Sequence, residues 1–220
     1  DLKWRVYADL EPVVAPETII ASSASGLMVS ELQRRTQHPE RFALAHPFNP
    51  PHLIPLVEVM GGQQTDPAVV QWVLDFYNGC GKEAIRINKE VPGHVANRLQ
   101  AAIWREAIQL VVDGVASVTD VDRAVAFGPG LRWAIFGPHM TFHLGSGGSG
   151  MAVFIDRYKE SFHRWWADLG DPRLTAEVGQ LLAAGLEDEE SGRSFAQLAA
   201  ERDAKLVALL RALRQVDEEK

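Results

Sequence analysis

Hydrophobic and polar positions change rhythm near residue 91 of this 220-residue chain. Before that point, short apolar runs bounded by Pro and Gly alternate with helical spacing; beyond it only the helical period persists. Residues 1–15 carry the pattern of the end of an amphipathic helix, which Pro16 stops. Thr18–Ser22 (TIIAS) is too short for a helix and rich in β-branched residues, which predicts a strand. Arg41–His46 and Leu56–Met60 predict two more, separated by the proline-rich loop PFNPPHLIP. Asp66–Asn78 sets Val69, Val70, Val73, Phe76 and Tyr77 at helical spacing and ends in Gly-Cys-Gly, with a fourth strand over Ala84–Asn88. Helix alternating with strand reads as the later half of an α/β sheet.

After Val91-Pro92-Gly93 the strands stop. His94–Asp113 predicts a long helix closed by Gly114, and Thr119–Phe127 a short one with a threonine cap and Gly128 behind it. Further helices are expected at about 137–144, 151–169, 174–185 and 194–217. Gly145–Gly150 (GSGGSG) reads as a flexible joint inside the helical part. The acidic run Glu187–Glu190 reads as a solvated surface, and the end (VDEEK) as fraying. The organisation is thus an α/β part over residues 1–91 and an all-α part over residues 92–220.

Composition narrows the function classes. Hydrophobic residues at 46% and charged residues at 23% exclude a disordered or collagen-like chain. No apolar run reaches the roughly 20 residues of a membrane span, and DLKWRVYADL has no signal-peptide pattern, so no membrane partner is expected. A formal charge of −7, from 29 acidic against 22 basic residues, argues against sequence-independent nucleic-acid binding. The single Cys80 forms no internal disulfide, which fits a reducing cytoplasm, and no base partner marks it as a nucleophile.

Candidate chemistry is densest between Ser22 and Glu58. Ser22, Ser23 and Ser25 follow a predicted strand, where loops at the carboxyl edge of an α/β sheet present polar groups; a capped turn before a helix near Met28 is the alternative. His46 ends one strand and Glu58 lies within another, twelve residues on. If those strands are neighbours, the carboxylate fixes the imidazole tautomer and leaves the second ring nitrogen as a base; separate structural roles are the alternative. Asn97 and Arg98 open the long helix as a cap or surface pair, or as substrate ligands. His38, His52, His94, His139, His143 and His163 show no metal-ligand spacing beyond the i, i+4 pair His139/His143, which lacks a carboxylate or cysteine partner, so no metal is expected.

SSASGL, HPFNPPHLIPLVEVM and PGHVANRL, in this order and spacing, resemble the L-3-hydroxyacyl-CoA dehydrogenase family, and GVASVTDVDRAVAFGPGLRWAIFGP looks like its helical domain. The arginine-tryptophan form of the last string is closest to the branch with λ-crystallin and L-carnitine dehydrogenase. The resemblance extends from residue 1 to about 170. It implies the C-terminal portion of a Rossmann domain over residues 1–91, then a helical dimerisation and substrate domain over 92–220. It further implies NAD as hydride acceptor, a small-molecule substrate with a secondary 3-hydroxyl, free or as a CoA thioester, and a homodimer. By the same resemblance His46 is the base, Glu58 its partner, Ser25 and Asn97 hold the substrate oxygen, and Ser23 and Ser25 lie on the nicotinamide side.

Where many acyl-CoA members carry Asn and a second Ser, this chain has Ser23 and Gly26, and Pro47 replaces the first Phe of HFFNP. Both departures fit the λ-crystallin and L-carnitine dehydrogenase branch better than fatty-acid oxidation, and an L-carnitine dehydrogenase is the alternative enzyme reading. A free carboxylate on the substrate would favour Arg98 or Arg132 as a clamp, and Trp133, Phe136, Phe142, Trp165 and Trp166 are material for a cage around a quaternary ammonium, with core packing at helical spacing as the alternative. No GxGxxG loop follows a strand. The expectation is therefore that about 90–100 residues carrying the pyrophosphate site are missing before Asp1. A non-enzymatic, crystallin-like or dimerisation protein is the alternative from another class.

Overall fold

A computed structural model describes residues 2–219. The chain forms two compact units, residues 1–101 and 102–220. The first is built on one sheet of β1 (Ile20–Ser22), β2 (Phe42–Pro47), β3 (Leu56–Gly61) and β4 (Glu83–Arg86), in that spatial order. β1 pairs with β2 and β3 with β4 in parallel, because a helix crosses over between each pair: α2 (Val29–Gln33) and α3 (Pro67–Gly79). β2 and β3 are antiparallel, joined only by the proline-rich loop, which includes a cis Asn49–Pro50 peptide. Lys82 Nζ closes that loop by donating to the carbonyls of Pro51 and Ile54.

The two central strands are buried on both faces, which explains their nearly continuous apolar runs. Phe42, Leu44 and Met60 point to one side, where they pack with Tyr7 of α1 (Leu2–Leu10), Ile20, Val29, Leu32 and Ile87. Ala43, Ala45, Val57 and Val59 point to the other, against Val70, Val73 and Leu74 of α3. Each large side chain buried in this way contributes about 1.5–3 kcal/mol. The i, i+3, i+4 spacing of the α3 residues makes its inner stripe, and Asp66 caps the helix by accepting the Ala68 N–H. His46 and Glu58 continue the face of Phe42, Leu44 and Met60 by strand alternation.

α4 (Ala96–Val112) starts two residues later than its apolar pattern predicts, because His94 stands in the left-handed region at φ 53°. The second unit holds α5 (Val118–Phe127), α6 (Pro129–Trp133), α7 (Pro138–Leu144), α8 (Met151–Asp168), α9 (Ala176–Glu190) and α10 (Phe195–Glu218). Ser117 caps α5 by accepting the Asp120 N–H, which corrects the expected threonine cap. α6 was not legible: Gly128-Pro129-Gly130 reads as a stop, yet a proline at the first position starts a helix. α9 outruns its expected end, so Glu187–Glu190 forms its last turn, with Glu187, Asp188 and Glu190 exposed. The glycine cluster forms a turn between α7 and α8: Gly147, Gly148 and Gly150 have positive φ, and Gly150 N–H donates to the buried Ser146. Among the described residues of this unit only Ile108, Val118, Val121 and Ser146 are buried. No helix is long and apolar enough among the described residues to cross a membrane.

Candidate active site

In the antiparallel ladder His46 and Glu58 are direct cross-strand partners. That register brings imidazole and carboxylate together: His46 Nδ1 and Glu58 Oε2 are 2.9 Å apart. The pair is buried, with His46 at 6% exposure and Glu58 at 0%. A buried carboxylate needs partners for both oxygens. Oε1 receives them from the start of α4, where Val95 N–H and Ala96 N–H donate at 2.8 and 2.9 Å. Unpaired amides at a helix N-terminus are natural donors to an anion. Glu58 therefore joins the base to α4 through its two oxygens.

Burial by itself would push the Glu58 carboxyl upward. The Ala96 amide, His46 and the Val95 amide together outweigh it and hold the group below the usual carboxylate range. Glu58 is thus a carboxylate at neutral pH. It accepts the Nδ1 proton of His46, and Nε2, which makes no hydrogen bond among the described residues, is left as the working nitrogen.

The other expected residues divide into two groups. Asn97, on the first turn of α4, donates from Nδ2 to Ser25 Oγ at 3.4 Å, so the serine loop after β1 and the helix start meet beside the pair. Ser23 and Ser25 are exposed on that loop, while Ser22 is buried and accepts the Tyr7 hydroxyl at 2.7 Å, a packing role. Arg98 is exposed and makes no ion pair among the described residues; Arg132 is exposed on α6 of the second unit. Exposed serine hydroxyls on a loop that meets the start of α4, whose amides hold Glu58, suit the nicotinamide end of a dinucleotide, so this donor set fits that part of the cofactor.

Of the candidate aromatic cage, Phe142 and Trp166 line an apolar cavity between α7 and α8 together with Phe154 and Phe162. Trp165 packs edge-on against Phe162 at 5.2 Å, and Trp133 and Phe136 stand outside that lining. His139 and His143 are exposed, and no cluster among the described residues could hold a metal ion. Two features escaped sequence reasoning. The Val95 and Ala96 amides carry no residue-type signal, and His94 reads only as one more histidine. Its place between Gly93 and a helix start was the available hint.

Comparison with known proteins places the whole chain. The family profile described as 3-hydroxyacyl-CoA dehydrogenase, NAD binding domain, matches residues 1–91, and that for 3-hydroxyacyl-CoA dehydrogenase, C-terminal domain, matches residues 93–196. An L-carnitine dehydrogenase of Streptomyces coelicolor is 46% identical over 212 residues, covering 96% of this chain and 67% of its own length. One from Nocardiopsis dassonvillei is 44% identical over 217 residues, covering 99% and 66%. The chain therefore spans about two thirds of the length of the curated relatives it matches. The crystal structure of 5-formyl-3-hydroxy-2-methylpyridine 4-carboxylic acid 5-dehydrogenase, an NAD+-dependent dismutase, superposes with a TM-score of 0.80 at 32% identity, covering 97% of this chain and 69% of that one.

The first profile match corrects the expectation that the NAD-binding half is missing: residues 1–91 match that domain. A glycine-rich string was too narrow a criterion, because the sheet, the serine loop and the histidine strand carry the domain's pattern. With both domain profiles matched in order, the chain belongs to the 3-hydroxyacyl-CoA dehydrogenase family.

Proposed function

We propose that this chain, in its whole protein, is an NAD-dependent dehydrogenase that oxidises the secondary 3-hydroxyl of a free 3-hydroxy acid, with L-carnitine as the first substrate to test. The observation that carries this reading is the His46–Glu58 bond of 2.9 Å, with two helix amides on the far oxygen of Glu58. NAD, when bound, supplies the hydride acceptor. His46 takes the hydroxyl proton on Nε2 and becomes an imidazolium. Glu58 offsets that charge and keeps the ring in place, a contribution of general-base type worth about 10²–10⁴-fold. Ser25 and Asn97 hydrogen-bond the substrate oxygen, Ser23 and Ser25 face the nicotinamide, and Arg98 takes the carboxylate.

The names of the relatives favour L-carnitine over a CoA thioester. We assign residues 1–91 to the NAD-binding domain and 92–220 to the helical domain. The helical domain is also the reading for a homodimer interface: α8 and α9 have no buried residue, and Trp165, Trp166, Leu181 and Leu186 are exposed. NADH formation from NAD with L-carnitine, and with a panel of free and CoA-linked 3-hydroxy acids, tests the activity. Turnover of the free acids, abolished by His46→Ala, is the expected result; no turnover of any member of the panel contradicts it.

A further inference from the structure

His94 lies against the serine loop and the His46 ring and has no task in the chemistry above. It is 1% exposed and stands at φ 53°, directly after Gly93 at φ 77°. A residue other than glycine costs of order 1–3 kcal/mol in such a conformation. Its Nε2 donates to the Ala24 carbonyl at 3.4 Å, within the serine loop. Its Nδ1 is buried without a partner, and its ring centre is 5.3 Å from that of His46. A buried unpaired nitrogen costs about 1–3 kcal/mol, which an apolar ring of similar size would avoid. Packing alone therefore accounts for neither the backbone nor the imidazole.

The next two residues explain the backbone. Val95 and Ala96 are the amides that hold Glu58, and the turn at Gly93 and His94 sets their direction. We propose that His94 is a positioning residue for the His46–Glu58 pair: its left-handed turn aims the two α4 amides at Glu58, and its ring holds the serine loop at Ala24 against the His46 ring. The proposal rests on the catalytic reading of the pair given above.

Three substitutions separate the two handles. His94→Gly keeps the backbone and removes the ring. His94→Phe keeps a ring but loses the donor and meets the strain that a bulky residue feels at positive φ. His94→Asn tolerates that conformation and keeps a side-chain donor. The readout is the imidazole proton on His46 Nδ1, observed by proton–nitrogen NMR on the labelled 220-residue chain and identified by its loss in His46→Ala.

The expected result is a protected proton in the parent and in His94→Asn, lost to exchange with water in His94→Gly and His94→Phe. In activity, the last two lower kcat by about 10- to 100-fold with little change in KM, the signature of misplaced rather than missing groups. Circular dichroism reports whether each variant folds, and should His94→Phe not fold, His94→Gly decides alone. A protected proton and parental kcat in folded His94→Gly and His94→Phe overturn the proposal. The proton is read without cofactor or substrate, so a chain that oxidises no 3-hydroxy acid contradicts the functional reading alone, and the NMR signal still decides the role of His94.

Discussion

The two units of this chain use their apolar residues in opposite ways. In the first, β2 and β3 are covered on both faces, and nearly every side chain from Phe42 to His46 and from Val57 to Met60 is buried. In the second, six helices among the described residues leave Trp165, Trp166, Leu174 and Phe195 between 60% and 85% exposed. The difference shows where function can reside. A polar pair such as His46–Glu58 is held in one geometry only where packing fixes both strands and every charged oxygen finds a donor. Helices with open apolar faces instead have surface left for association.

Substitutions in the two units should separate sharply. His46→Ala is expected to lower turnover by about 10³-fold, within the range for a lost general base, and to lower the melting temperature as well, because Glu58 Oε2 is left buried without its partner. Initial rates and a thermal melt on one preparation check both halves of that statement. Leu44→Ala, which opens a cavity in the doubly covered strand, should cost about 2–5 kcal/mol in denaturant unfolding. Leu209→Ala on α10, 38% exposed, should shift unfolding by no more than about 0.5 kcal/mol. If α10 is covered in a homodimer, light scattering should show weaker association in that variant. Equal destabilisation by the two leucine changes would erase the contrast between the units.

A smaller effect concerns pH. Glu58 has a lower pKa in the folded chain than the roughly 4.3 of a free glutamate. A lowered folded value means that the carboxylate favours folding above the unfolded pKa, and that this contribution is lost as pH falls through the folded one. Acid titration of the parent against Glu58→Gln should therefore show a steeper loss of stability below about pH 4.3 in the parent. Parallel curves would mean that the amides and His46 do not hold the group as described.

Much of this was legible in the chain itself. The strands, the crossover helices and the candidacy of His46 and Glu58 follow from apolar runs, turn residues and twelve-residue spacing. The register that makes the two direct partners was not, because spacing alone fits neighbouring and separated strands equally. The amides of Val95 and Ala96 were invisible because backbone donors belong to every residue. α6 and the end of α9 were hidden for local reasons: Pro129 both stops and starts helices, and glutamates that read as a solvated surface are also good helix formers. Residues 1–91 were legible as a dinucleotide-binding domain, while the expectation of a missing half rested on the absence of one loop motif.

The central claim is that His46 and Glu58 act as one unit, and a double-mutant cycle tests it most directly. Turnover is measured for the parent, His46→Ala, Glu58→Gln and the double variant under saturating NAD and L-carnitine. The account predicts that the double variant loses no more than His46→Ala alone, because Glu58 works only through the ring it holds. Losses that multiply would show the two residues acting independently and would contradict it.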